Sequence, residues 1–131
     1  MKRSPRRFQK LVAAARAARR NAHAPYSGIR VGAALLTRSG KIYSGANMEN
    51  ASYGLTICAE RIAVGKAVSE GHHRFEAIAV AVPCSNPTPC GACRQVLAEF
   101  GECIVICVDA RKRSQARIYQ LSELLPSVFQ L

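Results

Sequence analysis

A chain of 131 residues with a net charge of +11 and a hydrophobic fraction of 49% is sized for one domain over 1–131, able to bury roughly two-thirds of its unfolded surface. No apolar run approaches the roughly 18 residues of a membrane span, and the basic start, Met1 to Arg7, leads into an alanine-rich, arginine-punctuated stretch where an export signal needs a continuous apolar core. Six cysteines in such a chain point to a reducing compartment, the cytoplasm, and favour metal binding over a disulfide framework.

After a basic extension, Met1 to Pro5, the spacing of Phe8, Leu11, Val12, Ala15 and Ala18 predicts an amphipathic surface helix over 6–22. Ala24-Pro25-Tyr26-Ser27-Gly28 ends it in a turn. Val31 to Thr37 reads as a buried strand, Arg38 to Lys41 as a hairpin turn, and Ile42 to Ser44 as the returning strand. Gly45 to Leu55 is a polar loop of the kind that works at a site or interface. Helical spacing resumes at Cys58 and stops at Gly71.

Phe75 to Val82 is almost wholly apolar, as in a strand covered on both faces, and a proline-rich connection leads from it to Cys90. A third helix runs to about Phe100, followed by a buried strand at Cys103 to Val108, a basic turn at 110–114, a short strand at Ala116 to Tyr119 and a terminal helix at 122–125. This order implies an α/β fold, a three-layer α-β-α sandwich around a mixed five-stranded sheet.

The excess charge is all N-terminal. Met1 to Met48 holds eleven Lys and Arg and no acid, whereas Glu49 to Leu131 holds eight of each. Such a block attracts polyanions without carrying sequence information, and it reads first as a solubilising surface and only second as a nucleic-acid site.

Chemistry concentrates in Pro89-Cys90-Gly91-Ala92-Cys93-Arg94-Gln95, a C-x-x-C pair at a helix mouth, for which zinc is the default cation. Cys58-Ala59-Glu60-Arg61 opens a second helix and offers a third ligand, so two helix N-termini can converge on one metal. Three thiolates around a dication leave one net negative charge, which Arg61, the helix dipoles and, as a second donor to sulfur, Arg94 can answer. Cys84 is a candidate fourth ligand that would close the site. Cys103 and Cys107 read as core residues, and His23, His72 and His73 as surface residues without ligand spacing. Glu60, within a turn of Cys58, is placed to move protons between water and substrate.

These two segments resemble the zinc-dependent cytidine deaminases of the short, three-cysteine nucleoside type. The likeness extends through Ala24-Pro25-Tyr26-Ser27, Val31 to Leu35, Asn47 to Tyr53 and Glu123 to Pro126, covering about Phe8 to Phe129. The resemblance implies one zinc per subunit on Cys58, Cys90 and Cys93, and Glu60 as the proton carrier in hydrolysis of cytidine and 2′-deoxycytidine to uridine, 2′-deoxyuridine and ammonia, a step of pyrimidine salvage. It also implies base contact by the backbone near Ala59 and binding of the ribose 3′-hydroxyl by Asn47 and a buried Glu49. Ile29 stands where many relatives carry phenylalanine, and Phe129 matches a C-terminal aromatic. A homotetramer that shares Ala51 and Tyr53 between neighbouring sites is implied as well. A blasticidin-type deaminase, an enzyme acting on nucleic acid and, from another class, a structural zinc module that binds nucleic acid are the alternatives.

Overall fold

The computed structural model describes residues 6–113 and 115–131, so the extension at 1–5 and the last residue of the basic turn, Ser114, lie outside it. A 3-10 turn at Arg6–Phe8 leads into α1 (Gln9–Ala18). β1 (Gly32–Thr37), β2 (Ile42–Ala46), α2 (Ala59–Ser69), β3 (Phe75–Val82), α3 (Gly91–Ala98), β4 (Ile104–Asp109), β5 (Ala116–Gln120) and α4 (Leu121–Leu124) follow. The five strands form one sheet in the order β2-β1-β3-β4-β5. All neighbours are antiparallel except β3 and β4, whose parallel pairing is spanned by α3.

The expected three layers are present because β3 alternates by size. Ala77, Ala79 and Ala81 face α1 together with Ala34, Ile106 and Val108, and receive Phe8, Leu11 and Ala15. Phe75, Ile78 and Val80 face the other way, against Ala59, Ala63, Val64 and Ala67 of α2 and Leu97 of α3. Burying Phe8 and Leu11 contributes roughly 2 kcal/mol each. The parallel pair also orients the molecule: β3 and β4 finish at the same end of the sheet where β1 begins and β2 ends, and both functional helices start there.

Some boundaries differ from expectation. The first helix was expected to reach Ala22, but its α-helical part stops at Ala18, a 3-10 turn covers Arg19–Asn21, and Ala22 is extended. Pro25 disfavours helix at Ala24, and His23 is drawn into backbone bonds with Asn47 and Glu49 instead. The third helix ends at Ala98 rather than Phe100, where Gly101 turns the chain at a φ of +94°. Gly45 and Ala46, expected to be loop, complete β2, and Tyr53–Leu55 forms a 3-10 turn.

Gly45 sets how closely α2 lies on the sheet. A Cβ there would stand 2.5 Å from Ala59 O and 2.7 Å from Ala63 N, both backbone atoms of α2. Gly45→Ala is therefore expected to destabilise the fold by about 1–3 kcal/mol through overpacking. It should also loosen metal retention, because the displaced helix is the one that Cys58 opens. Thermal unfolding and a chelator competition check both effects, and an unchanged melting temperature would refute the close approach.

Candidate metal centre

Cys58 and Cys90 occupy the N-cap positions of α2 and α3, both with extended backbone (φ −70°, ψ 152° and φ −65°, ψ 165°). Neither side chain caps its own helix, so both sulfurs are free to face each other. Cys58 Sγ lies 3.8 Å from Cys90 Sγ, which lies 3.5 Å from Cys93 Sγ one turn into α3. All three sulfurs fall within 4.8 Å of one another, and no other such His, Cys, Asp or Glu cluster occurs among the described residues.

Their ionisation is shaped by one another. The Cys58 thiol is pulled down to about 5, first by the hydrogen bond from Cys93 and also by Arg61. Cys93, donating that bond and buried, is pushed far up. Only a cation lets all three sulfurs carry charge together. Arg61 contributes part of that charge, with Nη2 at 3.7 Å from Cys58 Sγ and 3.3 Å from Thr56 O. Its buried Nε has no hydrogen-bond partner among the described residues.

Glu60 is 5% exposed. Burial raises its pKa and the neighbouring Cys58 charge adds to that, while its own N–H, Cys93 and Arg61 act in the opposite direction. A carboxyl group so placed can hold or release a proton closer to neutral pH than a solvated one. Ala59, between the ligand and the acid, is wholly buried.

Asn47 and Glu49 brace the loop before β1. Asn47 Oδ1 accepts from Val31 N–H at 2.8 Å, and its Nδ2 donates to Ile29 O at 2.8 Å. Glu49 accepts from the N–H groups of Tyr26 and Ser27 at 3.0 and 3.2 Å and from Ser27 Oγ. Ser27 is the first cause of its lowered pKa. The expectation of a buried Glu49 is corrected: within one chain it is partly exposed, its carboxylate met by residues 26 and 27 of another surface loop. Ser27 is the partner that sequence reasoning passed over, although it lies inside the Ala24 to Ser27 landmark. Ile29, Ala51 and Tyr53 are exposed, Tyr53 75% so, and Tyr26 meets Tyr53 edge to face at 5.9 Å; Phe129, 69% exposed, is tied instead to Gln95 of α3.

A family model described as the zinc-binding region of cytidine and deoxycytidylate deaminases matches residues 5–108. The chain belongs to this deaminase family. It is 50% identical over 124 residues to a probable cytidine deaminase of Dictyostelium discoideum, covering 93% of this chain and 83% of that one. It is 48% identical over 122 residues to a cytidine deaminase of Halalkalibacterium halodurans, covering 92% of each. The crystal structure of a cytidine deaminase from Burkholderia pseudomallei superposes with a TM-score of 0.84 at 45% identity, over 92% of this chain and 97% of that one.

The sulfur geometry fits the metal of this deaminase family. Zn–S bonds of about 2.3 Å set tetrahedral sulfur–sulfur edges of about 3.8 Å, close to the 3.8 Å between Cys58 and Cys90 and the 3.5 Å between Cys90 and Cys93. Three sulfurs are one fewer than a closed tetrahedral zinc site uses. Cys84 is exposed and is not part of the cluster, and Cys103 and Cys107 are buried thiols pushed up to about 12 by burial.

The expected role of Arg94 as a donor to sulfur is corrected. Its Nε donates to Pro89 O at 2.8 Å, Nη1 to Leu124 O at 2.7 Å and Nη2 to Thr88 Oγ1 at 2.8 Å. The guanidinium is spent on tying the loop before Cys90 to the end of α4, and Gln95 Nε2 reaches Phe129 O at 3.3 Å. Nothing in a local sequence window could reveal a partner 30 residues away. Arg94→Ala is expected to free the C-terminal segment, seen as faster amide exchange beyond Leu124, and to cost about 2–4 kcal/mol of stability through three lost bonds and two orphaned carbonyls. Unaltered exchange there would mean that the clamp holds nothing.

Proposed function

We propose that this family member hydrolyses cytidine and 2′-deoxycytidine to uridine and 2′-deoxyuridine with release of ammonia, as a step of pyrimidine salvage in the cytoplasm. The observation that carries this reading is Glu60, buried two residues after one sulfur of the triad and adjacent to another. Cys58, Cys90 and Cys93 would hold the zinc, which would supply the Lewis acidity that makes water a usable nucleophile near neutral pH.

Glu60 would take a proton from the attacking water and deliver it to N3 as the hydroxyl adds to C4, then take the proton of that new hydroxyl and hand it to the amine, so that the C4–N bond breaks to ammonia as the carbonyl forms. Arg61 offsets the surplus negative charge of the sulfurs. The first turn of α2 at Ala59 receives the base edge, and Ile29 and Phe129 offer apolar contact to its faces.

Asn47 and Glu49 bind the 3′-hydroxyl, with Ser27 and the N–H groups at 26 and 27 holding the carboxylate ready. A carboxylate there repels a 3′-phosphate, which disfavours a substrate continuing as a nucleic-acid strand. The same pair disfavours a blasticidin-type reading, since a ribose is what it is built to hold.

We also propose a homotetramer, in which exposed Tyr53 and Ala51 complete a neighbour's site and cover Glu49. The exposure of Tyr26, Ile29, Met48, Tyr53, Leu55 and Phe129 supports it.

The test is the ultraviolet absorbance of cytidine, cytidine 3′-monophosphate and a single-stranded oligonucleotide with zinc-replete protein. Conversion of cytidine alone is expected, and conversion of the oligonucleotide in its place would overturn the reading. Glu49→Gln is expected to raise KM for cytidine about 10–100-fold, the worth of one charge-assisted hydrogen bond, and to narrow the discrimination against the 3′-phosphate. Unchanged kinetics with both ligands would remove Glu49 from the ribose.

A further inference from the structure

The N-terminal cations are not spread evenly over the fold. Six positive side chains gather at the end of the sheet where β3 and β4 finish, on the α1 side: Arg16, Arg19 and Arg20 at the end of α1, Arg30 before β1, and Lys112 and Arg113 in the turn after β4. Two long-range bonds tie them together. Arg16 Nη2 donates to Lys112 O and Arg19 Nε to Arg30 O, both at 2.8 Å. The turn itself is fixed to the sheet through Ala110 N–H on Val82 O at 2.8 Å.

Little acid answers this charge: Asp109 stands near Lys112, but both its oxygens bond Arg111. Among the described residues the salt bridges are Arg111 with Asp109 at 2.9 Å and Arg7 with Glu76 at 3.1 Å, the latter at the opposite end of α1. Asp109 is thus taken by a seventh cation, and Glu49, on a neighbouring loop, is taken by Ser27 and Tyr26.

Five of the six cations are arginines, whose planar forks match phosphate oxygens two at a time. Arg16 and Arg19 are each anchored by one backbone bond, which leaves their remaining donors available and lowers the cost of ordering them on a ligand. Neither α1 nor the 110–113 turn exposes a large apolar side chain, so a lipid surface would find nothing to insert. The cations are exposed or half-buried across several elements, as suits a chain of phosphates better than one buried phosphate.

We propose that this face binds the phosphodiester backbone of single-stranded nucleic acid, without reading its bases, on the side of the sheet away from the metal centre. A flexible strand can follow the band from the end of α1 to the turn after β4. The strand is a surface ligand and not a substrate, so binding and nucleoside turnover are separable.

Fluorescence anisotropy of a labelled single-stranded RNA of about 16 nucleotides tests it. At about 50 mM salt the expected Kd is on the order of 10⁻⁶ M, with log K falling against log salt at a slope of about −3 to −4 for four to six phosphates. Arg20→Glu with Lys112→Glu should weaken binding about tenfold or more and leave cytidine turnover unchanged. Lys10→Glu with Lys41→Glu, the same charge change at the opposite end of the sheet, should cost less than about twofold. Arg20→Gln with Lys112→Gln is the milder pair should the reversal disturb folding, and should weaken binding in the same direction. Equal losses in the two glutamate pairs would reduce the effect to net charge and overturn the proposal. So would a slope near zero, or tighter binding of inorganic polyphosphate of the same phosphate count.

Discussion

Glu60→Ala is expected to lower cytidine turnover by about 10²–10⁴-fold, the range a positioned general acid–base group contributes. Folding and zinc content should survive, because the side chain is not one of the three sulfur ligands and its removal relieves a buried carboxyl group beside Cys58 of an unfavourable charge. Zinc content by atomic absorption and single-turnover kinetics separate the two effects. Undiminished turnover would take the proton carrier away from this position, and loss of zinc along with turnover would make Glu60 a structural support of the cluster. Glu60→Asp, which keeps the acid and shortens its reach, should fall between wild type and alanine.

Cys93→Ser should act on the metal itself. Cys93 is wholly buried and 3.5 Å from Cys90, so it completes the triangle from inside the fold. A serine hydroxyl does not ionise to a ligand near neutral pH, and zinc affinity should fall by more than about 100-fold, beyond what loss of an outer-shell contact causes. Chelator competition measures this directly. Thermal stability should fall with it, since metal binding free energy is partly folding free energy. Cys84→Ser and Cys107→Ser, outside the cluster, should retain zinc as wild type does. A Cys84→Ser variant that lost zinc would show that the site is closed by a fourth sulfur, leaving no position for water.

Much of this organisation was legible in the chain because the signals are local. Phe75 to Val82 has an apolar run bounded by polar residues and a proline, and the strand occupies the same span. Cys58 and Cys90 precede helical spacing, and both prove to be N-caps. The five strands and the two-sided helix layers followed from element order.

What stayed hidden depends on distance through the fold. The central placing of β1 beside β3 follows from which faces must be buried, and local pattern does not encode it. The end of the first helix is set by a backbone exchange with 47–49. Arg94 reads locally as a cation beside two thiolates, yet its donors are claimed by carbonyls at 89 and 124. Glu49 reads as a ribose ligand that must be buried, yet one chain leaves it partly open.

The most direct test of zinc-dependent nucleoside deamination is to strip the protein of metal, return zinc in measured steps, and follow cytidine absorbance at each step. Activity is expected to be absent at the start, to rise in proportion, and to saturate at one zinc per chain, the capacity of the single three-sulfur cluster among the described residues. Full turnover by the stripped protein, or a rise that continues well past one equivalent, would contradict it.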